Sequence, residues 1–467
     1  MAASLSKIII HGSDQEVANF LKTKPKLNII DEYGYTPLIQ TAIVNTASKA
    51  KLLLAAGANV DFPDLTGRTA LFWAADNNNL ELCTLYLKYH ANPNAYSSGG
   101  QPILVMPLMK NQQEVKKLLV SSGAKLDFAQ DFLNAKLIGH GFELEGRVDI
   151  VDTRNLFIEV ELEGFYLRFT LEVVASSLAD FRNSYAAKKM RKYFPILDKI
   201  IYSLQVATNL LRLQHYLIDV KQFLDKINKL LDTEPLILPI SFGGHAITLI
   251  KCWDKFIRCD RGAYGRDHGT VIYYDILHQP HLTKSLCRKL LYKRQYPEYI
   301  NSGLIEQLGL QPRATLGLPI QKTGNCSWAN VEAVIPALMF SMLLDERGKG
   351  KTKSAEEEAL NFYYEWREWN NTRSLDFCVQ SLKDADQARR CSKAALLAAI
   401  LFQACDNENP RDRAKSNKIL AVLSQAEYLQ ILKAYAKTFS KEQDNQLWKS
   451  FTNYLEEYGV DLEKLLI

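Results

Sequence analysis

Four polar residues in the middle of the chain have the types and the order that thiol chemistry needs: His245, Asp260, Gln321 and Cys326. A cysteine nucleophile requires a lowered thiol pKa, an imidazole to take the proton, a group that orients the imidazole, and donors for a developing oxyanion. His245 follows Gly243-Gly244, whose lack of side chains leaves backbone room beside a cleft. Gln321 stands five residues before Cys326, near enough for its amide to face the thiol, and Gly324 lets the backbone approach. The Cys326 peptide N–H is a second candidate donor. The plainer alternative is a buried structural thiol.

These residues need particular elements to meet. "LILPISFGG", "HAITLIKCWDKFIRCDRGAYG" and "TVIYYDIL" read as strands, with His245–Lys251 and Lys255–Cys259 forming a hairpin that turns at Trp253-Asp254. In an antiparallel hairpin the start of one strand neighbours the end of the next. Asp260 is therefore expected on the Nδ1 side of His245, holding its tautomer. Asp254 and Asp275 are the reserve acids. "CSWANVEAVIPALMFSMLL" reads as a helix with Pro336 as its irregularity, which places Cys326 at a helix N-terminus, where the macrodipole favours thiolate. Asn330 lies one turn on and reads as structural, Trp328 as core, and His268, His278 and His281 as surface. Upstream, "RVDIVDT" and "LFIEVELEGFYLRFTLEVV" alternate like strands, and residues 176–232 read as helices. After Pro280 the chain reads as helical to its end, apart from the approach to "LPIQKTGNC".

The order His, acid, Gln, then Cys at a helix start resembles the ubiquitin-like-protein protease superfamily, over roughly residues 236–344. Ala246 stands where that family often has Trp, and Ser327 where it usually has Gly. The resemblance implies a papain-like α+β domain over residues 140–350, carrying the helical insertion 176–232. It implies Cys326 as nucleophile, His245 as base, Asp260 as orienter and Gln321 as oxyanion donor. The reaction implied is peptide or isopeptide hydrolysis, with acyl transfer a lesser alternative.

The first 139 residues are organised differently. Gly34, Gly67 and Gly100 recur every 33 residues, as do Leu38, Leu71 and Leu104, and Ala58, Ala91 and Ala124. With Thr36-Pro37-Leu38, this resembles the ankyrin repeat: an all-α solenoid of about three full repeats with degenerate ends. Pro102 and Pro107 interrupt the third repeat. Such arrays usually bind proteins. The exposed candidates are Tyr33, Tyr35, Phe62, Arg68, Tyr96 and Ser98.

Residues 351–467 read as an all-α C-terminal bundle with an aromatic core (Phe362, Tyr363, Tyr364, Trp366, Trp369). "DERGKGKTKS" lacks the first glycine of a phosphate loop and reads as a linker. The basic run Ala186–Tyr193 reads as a wet helix face. A net charge of +5 over 467 residues is too weak a bias for direct nucleic-acid binding. The eight scattered cysteines contain no Cys-x-x-Cys pair, which points to a reducing compartment without structural zinc or other cofactor. No signal peptide or transmembrane segment is expected.

Ankyrin repeats, a protease-like middle and a helical tail together resemble the ankyrin-repeat effectors of Legionella. The acidic and apolar terminus "NYLEEYGVDLEKLLI" is similar to the translocation signals of their type IV system. The resemblance implies action in the host cytosol or nucleus on a host protein. The alternative is a non-catalytic binding scaffold with a vestigial protease fold.

Overall fold

The computed structural model describes residues 2–214, 220–322, 324–347, 352–441 and 446–458. The Gly350-Lys351 part of the linker and residues 459–467 of the terminal signal lie outside the described residues. Compactness divides the chain into two units that cross the linear boundaries at 139 and 350. One is Met1–Leu137, Gly146–Glu161 and Cys378–Ile467; the other is Ile138–Glu145 and Leu162–Phe377.

The first unit is a helical solenoid. Helix pairs Ala2–His11/Asp14–Leu21, Pro37–Ile43/Ala47–Ala55, Ala70–Asp76/Leu80–Lys88 and Val105–Met109/Gln113–Ser121 follow one another. Thr36 and Thr69 cap their helices by accepting the N–H of Ile39 and Phe72. In the third repeat Leu104 takes that position without a side-chain bond, and its first helix shrinks to five residues. The tips are built alike: Asp31 and Asp64 each accept two backbone N–H groups through Oδ1, and Gly34 and Gly67 turn at positive φ. Two short strands, β1 (Arg147–Val151) and β2 (Phe157–Glu161), pair antiparallel. The turn between them repeats the tip: Asp152 Oδ1 accepts from Arg154 and Leu156, and Asn155 takes the positive φ. Backbone bonds chain the tips together, from Leu65 to Gly34, Ser98 to Thr66 and Glu161 to Gly99. The hairpin thus extends the row of tips by one layer. Helix α1 (Leu126–Gly141) is the single helix of the degenerate C-terminal repeat.

The second unit holds a five-stranded antiparallel sheet in simple order: β3 (Leu236–Phe242), β4 (His245–Cys252), β5 (Lys255–Cys259), β6 (Val271–Ile276) and β7 (Leu310–Leu316). Its core packs against helices α2 (Leu167–Asn183), α3 (Phe194–Gln214), α4 (Cys326–Glu332), α5 (Val334–Arg347) and the first part of α6 (Thr352–Gln380). The expected turn at Trp253-Asp254 is present, with Cys252 opposite Lys255. Two expectations are corrected. Residues 167–174 are helix, not strand, because Leu171, Val174, Ala175, Leu178 and Phe181 form one buried helical stripe. The chain after Pro280 is also not helical throughout: β7 adds the last strand, with a register shift that skips Arg313 between Ala314, opposite Tyr273, and Pro312, opposite Tyr274. The run Ala186–Tyr193 lies in a 3-10 helix, Tyr185–Tyr193, with its lysines exposed. Phe362, Tyr363 and Trp366 are buried; Tyr364 is 40% exposed.

Candidate functional site

The β4–β5 register sets the first half of the site. Thr248 pairs with Cys259, so continuing the ladder brings the residues just after Cys259 beside His245. Asp260 Oδ1 lies 2.9 Å from His245 Nε2. The expectation that Asp260 would meet Nδ1 is thereby corrected: Nε2 takes the carboxylate, and Nδ1 is the ring nitrogen left for the thiol. Gly262 makes this approach possible, since a Cβ there would stand 2.7 Å from His245 Cε1 and 3.2 Å from Asp260 Oδ1. Asp260 is 1% exposed. Its carboxylate also accepts from Arg258 Nη2 at 2.7 Å and from the Gly262 N–H at 3.1 Å. Burial opposes the charge, but the bonds from His245 and the Arg258 guanidinium outweigh it and hold the carboxyl below its usual range. Arg258 is itself fixed by Asn301, at 2.7 Å, and by the face of Tyr264, 3.5 Å from the ring centroid.

Cys326 is the first residue of α4. Its surroundings differ from those of the other buried cysteines. Burial pushes Cys83, Cys252 and Cys378 up to about 12. For Cys326, burial acts the same way, but hydrogen bonding to His245 and from the Ala246 and Ser327 N–H groups reverses the shift and lowers it. The partner moves oppositely. Burial disfavours charged His245, yet its bonds to Asp260 and Cys326 raise it to about 9. Both directions favour a thiolate–imidazolium pair.

One side chain ties the segments together. Asn330 Nδ2 donates to the Ala246 carbonyl at 2.8 Å and to Gln321 Oε1 at 3.2 Å, while its Oδ1 accepts the Arg261 N–H at 2.7 Å. Gln321 is further anchored by its own N–H to the Arg261 carbonyl. With its oxygen held by Asn330, the Gln321 side chain keeps its Nε2 as a donor. Beneath lies a buried, charge-balanced group. Arg261 and Arg367 both meet Glu143, at 2.9 and 3.0 Å, and Glu332 accepts from Trp328 Nε1 and the Tyr363 hydroxyl. Burial raises the Glu332 pKa. Gly324, at φ +76°, receives residues 163–164 so closely that a Cβ would stand 2.5 Å from Glu163 Cγ.

The structure therefore gathers Cys326, His245, Asp260 and Gln321. Asp254 stays in the β4–β5 turn, and Asp275 pairs with Arg313 at the sheet's far side. His268, His278 and His281 are exposed, and Trp328 is buried against His140. Sequence reasoning missed Arg258 and Gly262 and undervalued Asn330. Arg258 carried a signal, since i and i+2 on a strand share a face. Among the described residues no group of three or more His, Cys, Asp or Glu side chains is placed to hold a metal. Cys326–Glu346 is long and apolar enough to cross a bilayer, but 94% of its most apolar window is buried in the protein.

Of the array candidates, Tyr33 is exposed. Tyr35 packs edge-on against Trp73, and Arg68 lies over Phe72 and Trp73. Phe62 is half-buried and Ser98 exposed. Tyr96 is half-buried, packed on Phe128 and accepting from Arg154 Nη2 at 2.9 Å.

The family description for ankyrin repeats matches in three copies, over residues 5–97 and 44–130. A solved structure described as that of the Legionella effector AnkH matches 98% of this chain and 97% of its own, at 40% identity and TM-score 0.76. The chain belongs to the AnkH family. That likeness runs through both units, so the AnkH family shares the solenoid and the sheet-bearing unit in one chain.

Proposed function

We propose that this AnkH-family chain is an effector delivered by a type IV system into a eukaryotic host cell. There, in cytosol or nucleus, it binds a host protein through its ankyrin array and carries out thiol-based acyl transfer at Cys326. The simplest reaction is peptide or isopeptide hydrolysis. The Cys326 thiolate attacks the substrate carbonyl carbon, and the Gln321 amide and the Cys326 N–H receive the oxyanion. The leaving amine takes its proton from His245. Water, deprotonated by His245, then cleaves the thioester.

The observation that carries this reading is the His245–Asp260 bond at 2.9 Å beside a buried cysteine whose pKa is lowered instead of raised. A second reading, a binding scaffold with a vestigial protease fold, is favoured by the burial of Cys326, which is 9% exposed. The alkylation rate of Cys326 against pH, in wild type and His245→Ala, separates the two. Catalysis predicts a reactivity midpoint well below the ~8.5 of a free thiol. The midpoint rises in the variant, because the imidazole that favours thiolate is gone. An ordinary midpoint indifferent to His245 leaves only the scaffold.

A further inference from the structure

A cavity of about 430 Å³ opens in the sheet-bearing unit, lined by Tyr166 and Arg168, by Ser241, and by Tyr292, Lys293 and Arg294. Two of its walls adjoin, in sequence or in sheet register, the segments that carry the thiol and its imidazole. Tyr166 follows Gly164, whose N–H donates to the Gly324 carbonyl two residues before Cys326. Ser241 pairs with Ala246, and the next pair along the ladder is Phe242 with His245. Among the described residues, three cations line this space and no Asp or Glu does.

One cation is buried, and the other two, Lys293 and Arg294, are exposed side chains on a fixed turn. Arg168 is 4% exposed, with its guanidinium 5.4 Å from the Tyr166 ring centroid. Gln295 is 5% exposed and donates to the carbonyls of Lys289, Leu290 and Lys293, which fixes the turn that presents Lys293 and Arg294. Neither Lys293 nor Arg294 makes an ion pair among the described residues. Helix α2 starts at this wall with no acidic residue in its first turn and no capping side chain, so its dipole adds to the positive field.

We infer that this cavity is a specificity subsite that binds an acidic side chain of a polypeptide substrate close to the acyl group presented to Cys326. The inference rests on the acyl-transfer reading above and supplies its substrate class. A volume near the lower end of the ~300–1,000 Å³ of ligand sites suits one or two residues better than an extended cofactor. One wall is the end of β3, along which an extended chain can lie.

The test uses the full chain and peptides bearing a thiol-alkylating chloroacetyl group. Matched reagents carry Glu or Gln at each of three positions from that group. The rate of Cys326 adduct formation is read by mass spectrometry. The Glu reagent reacts about tenfold faster at one position at low salt, and the advantage shrinks as salt rises. The preference disappears in Lys293→Gln/Arg294→Gln. It turns toward a Lys-bearing reagent in Lys293→Glu/Arg294→Glu, with circular dichroism and melting confirming that both variants fold. Equal rates at every position, or a Glu advantage that survives both variants, overturns the inference. So does selective blocking by inorganic pyrophosphate without any Glu preference, which would mark a small phosphate ligand. Failure of the acyl-transfer reading shows separately, as a rate with the Gln reagent that His245→Ala leaves unchanged.

Discussion

At the scale of single residues, the site depends on an absent side chain as much as on those present. Gly262 sits where a methyl group would press on His245 Cε1 at 2.7 Å and on Asp260 Oδ1 at 3.2 Å. Its φ of −87° is open to any residue, so backbone strain is not the issue. Gly262→Ala should displace the imidazole from the carboxylate and cut the His245-dependent reactivity of Cys326 by up to about 10²-fold, the scale of loss that a misplacement of about 1 Å can cause. Melting temperature should change little, since the methyl can be accommodated by moving one half-buried ring. Unchanged reactivity would mean that the His–Asp bond does not set the thiol. The four candidate residues stood out in the sequence because their types and order are rare together, and the structure brings them into one place. Gly262 was not, because a glycine's role is visible only once its neighbours in space are known.

At the scale of elements, sequence period and burial disagreed in two instructive places. "FYLRFTLEVV" alternates like a strand, yet Leu171, Val174 and Leu178 also recur at helical spacing, and continuation through Phe181 decides for α2. The strand β7 was hidden by Pro312 and by its mostly exposed middle, both marks of an edge strand. The hairpin β4–β5 was legible because its turn and its two short, mostly apolar runs are local in sequence. Asn330 shows what is not local: it joins α4 to Ala246, Arg261 and Gln321, partners up to 84 residues away. Asn330→Ala would leave a buried carbonyl and a buried N–H without partners, at a cost on the order of 3 kcal/mol. It would also free the Gln321 side chain. Stability measured by urea unfolding should fall by about that amount, and the rate of Cys326 acylation by an activated ester should fall while its alkylation midpoint stays near the wild-type value. A midpoint shift as large as that of His245→Ala would show instead that Asn330 acts on the imidazole.

At the scale of the molecule, a linear reading of three consecutive domains competes with two units that interleave along the chain. The solenoid unit contains the β1–β2 hairpin and everything from Cys378 onward. Its internal bonds say why. Arg389, on the helix α7 (Gln387–Ala404), donates to the Val151 carbonyl at 2.5 Å and pairs with Asp131 of α1 at 2.9 Å, with Lys393 adding a contact at 3.5 Å. Asp131 is 4% exposed, and burial raises its pKa despite these partners. Removing residues 378–467 would take both cations away and leave a buried carboxyl alone, a change that costs several kcal/mol when one member of a buried pair is lost. Hydrogen exchange on that truncation should show protection lost in residues 126–137 and 147–161, while β3 to β6 keep theirs. Because the stranded carboxyl would be protonated to remain buried, the loss should be smaller at acidic pH than at pH 7. If the tail were an independent bundle, exchange in 126–161 would not change at either pH, and the periodic array read from the first 130 residues would be a complete folding unit without it.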